Sequence, residues 1–314
     1  MGLHPALEAF LDRIGRNGND AVLPDSDSPD ALAAALAALR TPPPPEPVPD
    51  WPVSVHDEKT DDGVAVRIYR PDATAVQPEP VVVYIHGGGW VLGGLDMQDV
   101  ACRRLAWRGP VVVSVGYALA PEHPFPRPLD DCVGSVRWVA REAGRLGVTG
   151  DQITVMGTSA GGNLAAAVAL ASRDDPTLPV ESQVLVYPAL DSAMSTSSYT
   201  RFAEGYYVTA RQMRFYWDCY VPDPAARANP LVSPAQATSL AGLPPAVILN
   251  AEFDVLHDEG VHYAERLAAA GVDVTHREYP GMIHGFLGMH ALVPDAYAAT
   301  DAIAEVVMSH VPSL

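Results

Sequence analysis

The sequence predicts an α/β fold: a mostly parallel central sheet with helices on both faces and a helical insertion over one sheet edge. Three observations carry this. Val/Ile-rich runs alternate with helical patterns along the chain, the signature of a parallel sheet with crossover helices. Several runs are continuously apolar, as in strands buried on both faces. The chain has 314 residues, 48% hydrophobic and 18% charged, enough for a single large globular body.

Taken in order, residues 5–16 and 29–40 read as short helices. Ser28 or Asp27 serves as N-cap before Pro29 at the first helical position. TPPPPEPVPD follows, with six prolines within 42–49, an extended strap. Such a run also suits an SH3 ligand, but a rigid connector is the plainer reading. Residues 1–50 thus form an N-terminal arm, and 51–314 the main body. Within the body, strands are expected at 64–70, 81–87, 111–117, 152–157, 182–188, 246–254 and 274–280. Helices are expected at about 96–108, 128–146, 159–173, 258–271 and 295–311. Residues 191–240 break this rhythm: aromatics such as Tyr199, Tyr206, Tyr207, Tyr216 and Trp217 accumulate without a strand signal. This is the expected helical insertion.

Composition excludes several functions. Twenty Lys+Arg against 38 Asp+Glu give a net charge of −18, a poor match to nucleic-acid phosphates. Lys59 is the only lysine, so schemes needing a catalytic lysine elsewhere fall away. Cys102, Cys132 and Cys219 are odd in number, widely spaced and without a CxxC; neither a disulfide framework nor a metal cage is expected. The start MGLHPALEAFLDRIG is amphipathic rather than signal-like, and no apolar run is long enough to span a bilayer. A cytoplasmic location, without membrane contact, is the expectation.

The chemistry centres on Gly157-Thr158-Ser159-Ala160-Gly161. A G-x-S-x-G arises by chance in about a tenth of chains this long. Here it follows the apolar strand QITVMG and opens the small-residue helix SAGGNLAAAVALAS, the context that pushes a serine out over a sheet edge. A serine nucleophile needs a base. His284, between Gly281 and Gly285 after the last strand, is the best placed of ten histidines. Asp254, ending the strand AVILNAEFD, is the expected partner that fixes the imidazole. Its competitors read otherwise: Asp258 as a helix N-cap, Glu252 as facing the other side of the strand. His86-Gly87-Gly88-Gly89-Trp90 follows the strand VVVYI. Consecutive glycines bring backbone N–H groups close to a ligand oxygen, as an oxyanion site requires; His86 reads as structural. No nucleotide-binding glycine motif is present, and no cofactor or metal is expected.

These segments resemble a known family. HGGGW (86–90), YALAPEHPFP (117–126), GTSAGG (157–162), DVLHDEG (254–260) and GMIHGF (281–286) resemble the bacterial hormone-sensitive-lipase-type (family IV) carboxylesterases of the α/β-hydrolase fold, in which the order Ser, Asp, His also recurs. The resemblance implies a cofactor-free serine carboxylesterase acting on short-to-medium acyl esters. It implies an oxyanion hole of Gly88, Gly89 and the Ala160 N–H. It further implies that 1–50 and 191–240 make a cap over the acyl pocket. Two positions depart from the family pattern: Ala118 replaces an arginine, and Val255 a proline. Trp90, Tyr206, Tyr207, Met282 and Phe286 are candidate pocket residues, with ordinary packing an even alternative. The same machinery also serves amidases, carbamate hydrolases and acyltransferases. A non-catalytic small-molecule-binding homologue and an interfacial lipase are the other readings. The edge at 273–311 can pair with a second copy, giving a homodimer.

Overall fold

Alternating side chains of the central strands feed two apolar layers, and this sets the architecture. In a computed structural model, residues 2–24, 28–41, 48–72 and 78–309 are described. The strands are β1 (Val53–Lys59), β2 (Ala65–Pro71), β3 (Glu79–Ile85), β4 (Val111–Gly116), β5 (Val148–Thr158), β6 (Val180–Val186), β7 (Ala246–Phe253) and β8 (Val274–Ile283). The helices are α1 (Pro5–Ile14), α2 (Pro29–Leu39), α3 (Asp99–Trp107), α4 (Arg127–Leu146), α5 (Ala160–Ser172), α6 (Ser198–Arg201), α7 (Ala210–Tyr220), α8 (His257–Ala269) and α9 (Pro294–Ser309).

The eight strands form one sheet in the order β1-β2-β4-β3-β5-β6-β7-β8. β1–β2 and β2–β4 are antiparallel; all other neighbours are parallel. In β3, Val81, Val83 and Ile85 face the layer of α4, α5 and α8, while Val82 and Tyr84 face the layer of α3 and α9. Each such side chain contributes about 1.5–3 kcal/mol on full burial. This explains why these runs lack polar alternation.

The sequence reading missed β1. Its segment VSVHDEK carries charge on an exposed edge, so it lacks the apolar run that marks the inner strands. Asp57 pairs with Arg67 and Glu58 with Arg145. At the opposite edge, residues 275–278 of β8 are exposed. Both edges of the sheet therefore expose polar and charged side chains.

Ser28 Oγ accepts from Ala31 N–H at 3.1 Å, capping α2; Asp27 lies outside the described residues, as do strap residues 42–47 and the end of the last expected helix beyond 309. The insertion is less helical than expected: only α6, α7 and two short 3₁₀ turns interrupt it. The arm and insertion are knitted together. Tyr207 N–H donates to Arg16 O, Gly205 N–H to Asn17 Oδ1, Gln212 Nε2–H to Asn17 O and Thr209 Oγ–H to Asp20 Oδ1. Leu7 and Leu11 of α1 are fully buried. Among the described residues, no helix is long and apolar enough to cross a membrane.

Candidate active site

The turn from β5 into α5 is forced by close backbone contacts. A Cβ on Gly157 would stand 2.0 Å from Gly161 O, and one on Gly161 2.1 Å from Ile85 O. Only glycine permits β3, β5 and α5 to approach this closely. Between them Ser159 takes φ 56°, ψ −119°, a backbone state costing on the order of 1–3 kcal/mol for a non-glycine residue. Three backbone bonds hold it there: Ser159 N–H donates to Val186 O, while Ser159 O accepts from Asn163 and Ala189 N–H.

β7 and β8 bring the other two expected residues to the same sheet edge. Ser159 Oγ–H donates to His284 Nε2 (2.8 Å), and His284 Nδ1–H donates to Asp254 Oδ2 (2.7 Å). Leu256 N–H donates to Asp254 Oδ1 at 2.9 Å. Asp254 is buried, and His284 and Ser159 are 5% and 9% exposed, so the constellation sits in a nearly closed site. Gly285 after the histidine has φ +81°, which turns the chain sharply away.

The competing carboxylates are engaged elsewhere. Glu252 accepts from Gly281 N–H at 2.7 Å. Asp258 does not cap α8, whose N-cap is Leu256. Its carboxylate instead accepts from Ser198 N–H and Arg201, fastening the insertion. Its neighbour Glu259 accepts from Leu190 and Asp191 N–H at the root of the insertion. Burial pushes the Glu259 carboxyl up to about 8, against the pull of those two N–H groups.

The glycine loop after β3 lies against the serine: a Cβ on Gly87 would be 3.3 Å from Ser159 Cβ. Gly88 and Gly89 have φ +110° and +59°. A Cβ on Gly89 would strike the Tyr216 ring at 2.3 Å, so α7 lies directly on this loop. Among the described residues, the N–H groups of Gly88, Gly89 and Ala160 have no acceptor. His86 is fully buried and stacked on Tyr117, and its Nδ1–H donates to Gly87 O at 2.7 Å. Burial drops its pKa to about 4, so it stays neutral and shapes the loop.

The expected pocket residues divide. Trp90 is fully buried, stacked at 4.5 Å on Tyr220 and 4.3 Å from Trp217. Met282 and Phe286 are 1% and 0% exposed, in the layer that also holds Leu7 and Leu11. All three are buried in the apolar layers, Trp90 in one and Met282 and Phe286 in the other. Tyr206 stacks on Phe253 at 5.3 Å. Tyr207 reaches over the histidine loop, 3.7 Å from where a Gly285 Cβ would be. Two residues were missed. Tyr187, at φ 37°, places its ring 4.7 Å from His284, and Tyr216 covers Gly89. No motif marks either; Tyr216 was one aromatic among many. Among the described residues, no three His, Cys, Asp or Glu side chains are grouped to hold a metal ion.

A mostly parallel sheet that presents a strained serine turn and a histidine loop at one carboxyl edge defines an α/β hydrolase. The chain belongs to that family: it matches the α/β-hydrolase fold over residues 82–288. It is 37% identical over 306 residues to carboxylesterase NlhH of Mycobacterium tuberculosis, covering 95% of this chain and 93% of that one. It is 34% identical over 326 residues to ethyl acetate hydrolase of Pseudomonas putida, covering 99% and 100%. Among solved structures, a thermostable esterase from Pseudomonas putida superposes with a TM-score of 0.86 at 34% identity, covering 100% and 99%.

Proposed function

We infer that the chain is a serine carboxylesterase that hydrolyses short-to-medium acyl esters through an acyl-enzyme on Ser159. The continuous hydrogen-bond line from Ser159 through His284 to Asp254 carries this reading. His284 takes the serine proton as Oγ attacks the ester carbonyl, then returns it to the departing alcohol. Water activated by the same histidine releases the acid. Asp254 holds the tautomer that leaves Nε2 free to accept. The acceptor-free N–H groups of Gly88, Gly89 and Ala160 suit the developing oxyanion, where loss of one donor costs about 10²–10³ in rate. The near closure of the site by Tyr187, Tyr207 and Tyr216 favours a small acyl group, and the name of the ethyl acetate hydrolase relative agrees. In this reading, the arm (1–50) and insertion (191–240) form the cap. The cytoplasm and a homodimer through the exposed β8 edge complete the proposal.

The test is hydrolysis of p-nitrophenyl esters from acetate to palmitate by wild type and Ser159→Ala. A rate peaking at short chains and abolished in the variant is expected. Turnover that survives in a clean Ser159→Ala preparation would remove the assignment. A folded wild type inert on every ester would point to amides or a narrower substrate.

A further inference from the structure

The glycine loop is gripped from behind by a residue of the N-terminal arm. Arg40, the C-cap of α2, donates from Nε to Val91 O at 3.0 Å and from Nη2 to Ala120 O at 2.8 Å. Glu122 accepts from its Nη1 and Nη2 at 2.7 and 2.8 Å. The segment Tyr117–Glu122 reads YALAPE and supplies no guanidinium of its own; the arm brings one.

The carbonyls that Arg40 holds lead to the oxyanion donors. Val91 C=O and Leu92 N–H belong to one peptide unit, and Leu92 N–H donates to Gly88 O at 2.8 Å. Gly88 C=O and Gly89 N–H belong to the next unit in this line. In a trans peptide the N–H points opposite to the C=O. Pinning Gly88 O therefore aims Gly89 N–H away from the turn. A second line converges on the same oxygen: Ala120 N–H donates to Trp90 O (2.9 Å), and Val91 N–H to Gly88 O (3.1 Å). Because Ala120 N–H and the Ala120 carbonyl that Arg40 holds lie in different peptide units, Arg40 places this line without polarising it. Hydrogen bonds in series also polarise one another.

We propose that Arg40 is a positioning residue that aims and polarises the Gly89 N–H through two peptide units, so that docking of the arm completes the oxyanion hole. The proposal rests on the esterase reading above. Glu122 balances the charge of Arg40 and fixes its plane, which a lysine would not reproduce.

The experiment compares wild type, Arg40→Met, Arg40→Lys and Glu122→Gln on p-nitrophenyl butyrate, with thermal unfolding and the affinity of an aliphatic trifluoromethyl ketone, a transition-state analogue. Misaiming one donor is milder than deleting it. Arg40→Met is expected to lower kcat about tenfold, leave KM within about twofold, and weaken the ketone by the same factor as kcat. Arg40→Lys and Glu122→Gln fall between. Millimolar guanidinium ion restores part of the Arg40→Met rate. A folded Arg40→Met with wild-type kcat and ketone affinity overturns the proposal. So does a loss in which KM rises while the ketone-to-substrate affinity ratio stays fixed, since that marks a purely structural cap contact. If Arg40→Met does not fold, the Arg40→Lys and Glu122→Gln pair decides on the same two readouts. Ser159→Ala run alongside separates the two readings. Turnover that survives it removes the esterase mechanism; turnover abolished by it but indifferent to Arg40 removes only the relay.

Discussion

At the residue scale, the site depends on side chains held where they are costly. Ser159 sits in a strained backbone state, fixed by three backbone bonds and by glycines that no larger residue can replace. Asp254 is buried with one oxygen on Leu256 N–H and the other on the imidazole, so its task is orientation. Asp254→Asn keeps the shape but offers a donor to Nδ1, favouring the wrong tautomer. The expected result is a kcat lower by about 10⁴ with little change in KM or unfolding temperature. Steady-state kinetics beside a melting curve checks it; a loss below tenfold would mean that another group orients His284. Ser159, Asp254 and His284 were legible because each ends or follows an expected strand, with glycines marking the serine and histidine turns. Arg40 was not. It lies 51 residues from Val91 and 82 from Glu122, and no local pattern joins a helix C-terminus to a distant carbonyl.

At the element scale, strands buried on both faces announced themselves as Val/Ile runs, while β1 was hidden because an exposed edge needs no such run. The insertion was found by its broken rhythm, but its packing was not. Sequence shows that Tyr216, Trp217 and Tyr220 are aromatic, whereas only the fold shows them closing over Gly89 and Trp90. α8 joins the two parts: Asp254 precedes it, and Asp258 and Glu259 in its first turn fasten the insertion. Glu259 supplies a pH-dependent test. Its carboxyl is raised from an ordinary 4.5 to about 8, first by burial, with the nearby Asp191 adding to the rise. The folded state thus holds a proton that the unfolded state releases above about 4.5. Stability from this group is present below that pH and is lost as pH rises through 8. The unfolding-temperature advantage of wild type over Glu259→Gln should therefore shrink from pH 5 to pH 9. A gap that is constant across that range would show that the carboxyl does not titrate with folding.

At the scale of the whole molecule, the arm, the insertion and the sheet act together. The arm reaches the insertion through Asn17 and Asp20 and the glycine loop through Arg40, so it holds two of the segments that lie over Ser159. The sheet itself ends in the same way at both sides. β1 presents His56, Asp57 and Lys59 outward, with Asp57 and Glu58 already tied to arginines, and charged edges resist further pairing. β8 carries the same protection at 275–278, where Thr275, His276, Arg277 and Glu278 are exposed. An object with two receptive edges can add copies without limit and grow into a fibre, whereas one that carries charge on both edges resists it. Sedimentation over rising protein concentration should accordingly show no species above twice the chain mass; continued growth would mean that the edge charges are no barrier. On that expectation the charges at the two edges matter less to the fold than to the company it keeps: they would limit assembly and keep a carboxyl edge crowded with chemistry out of a polymer.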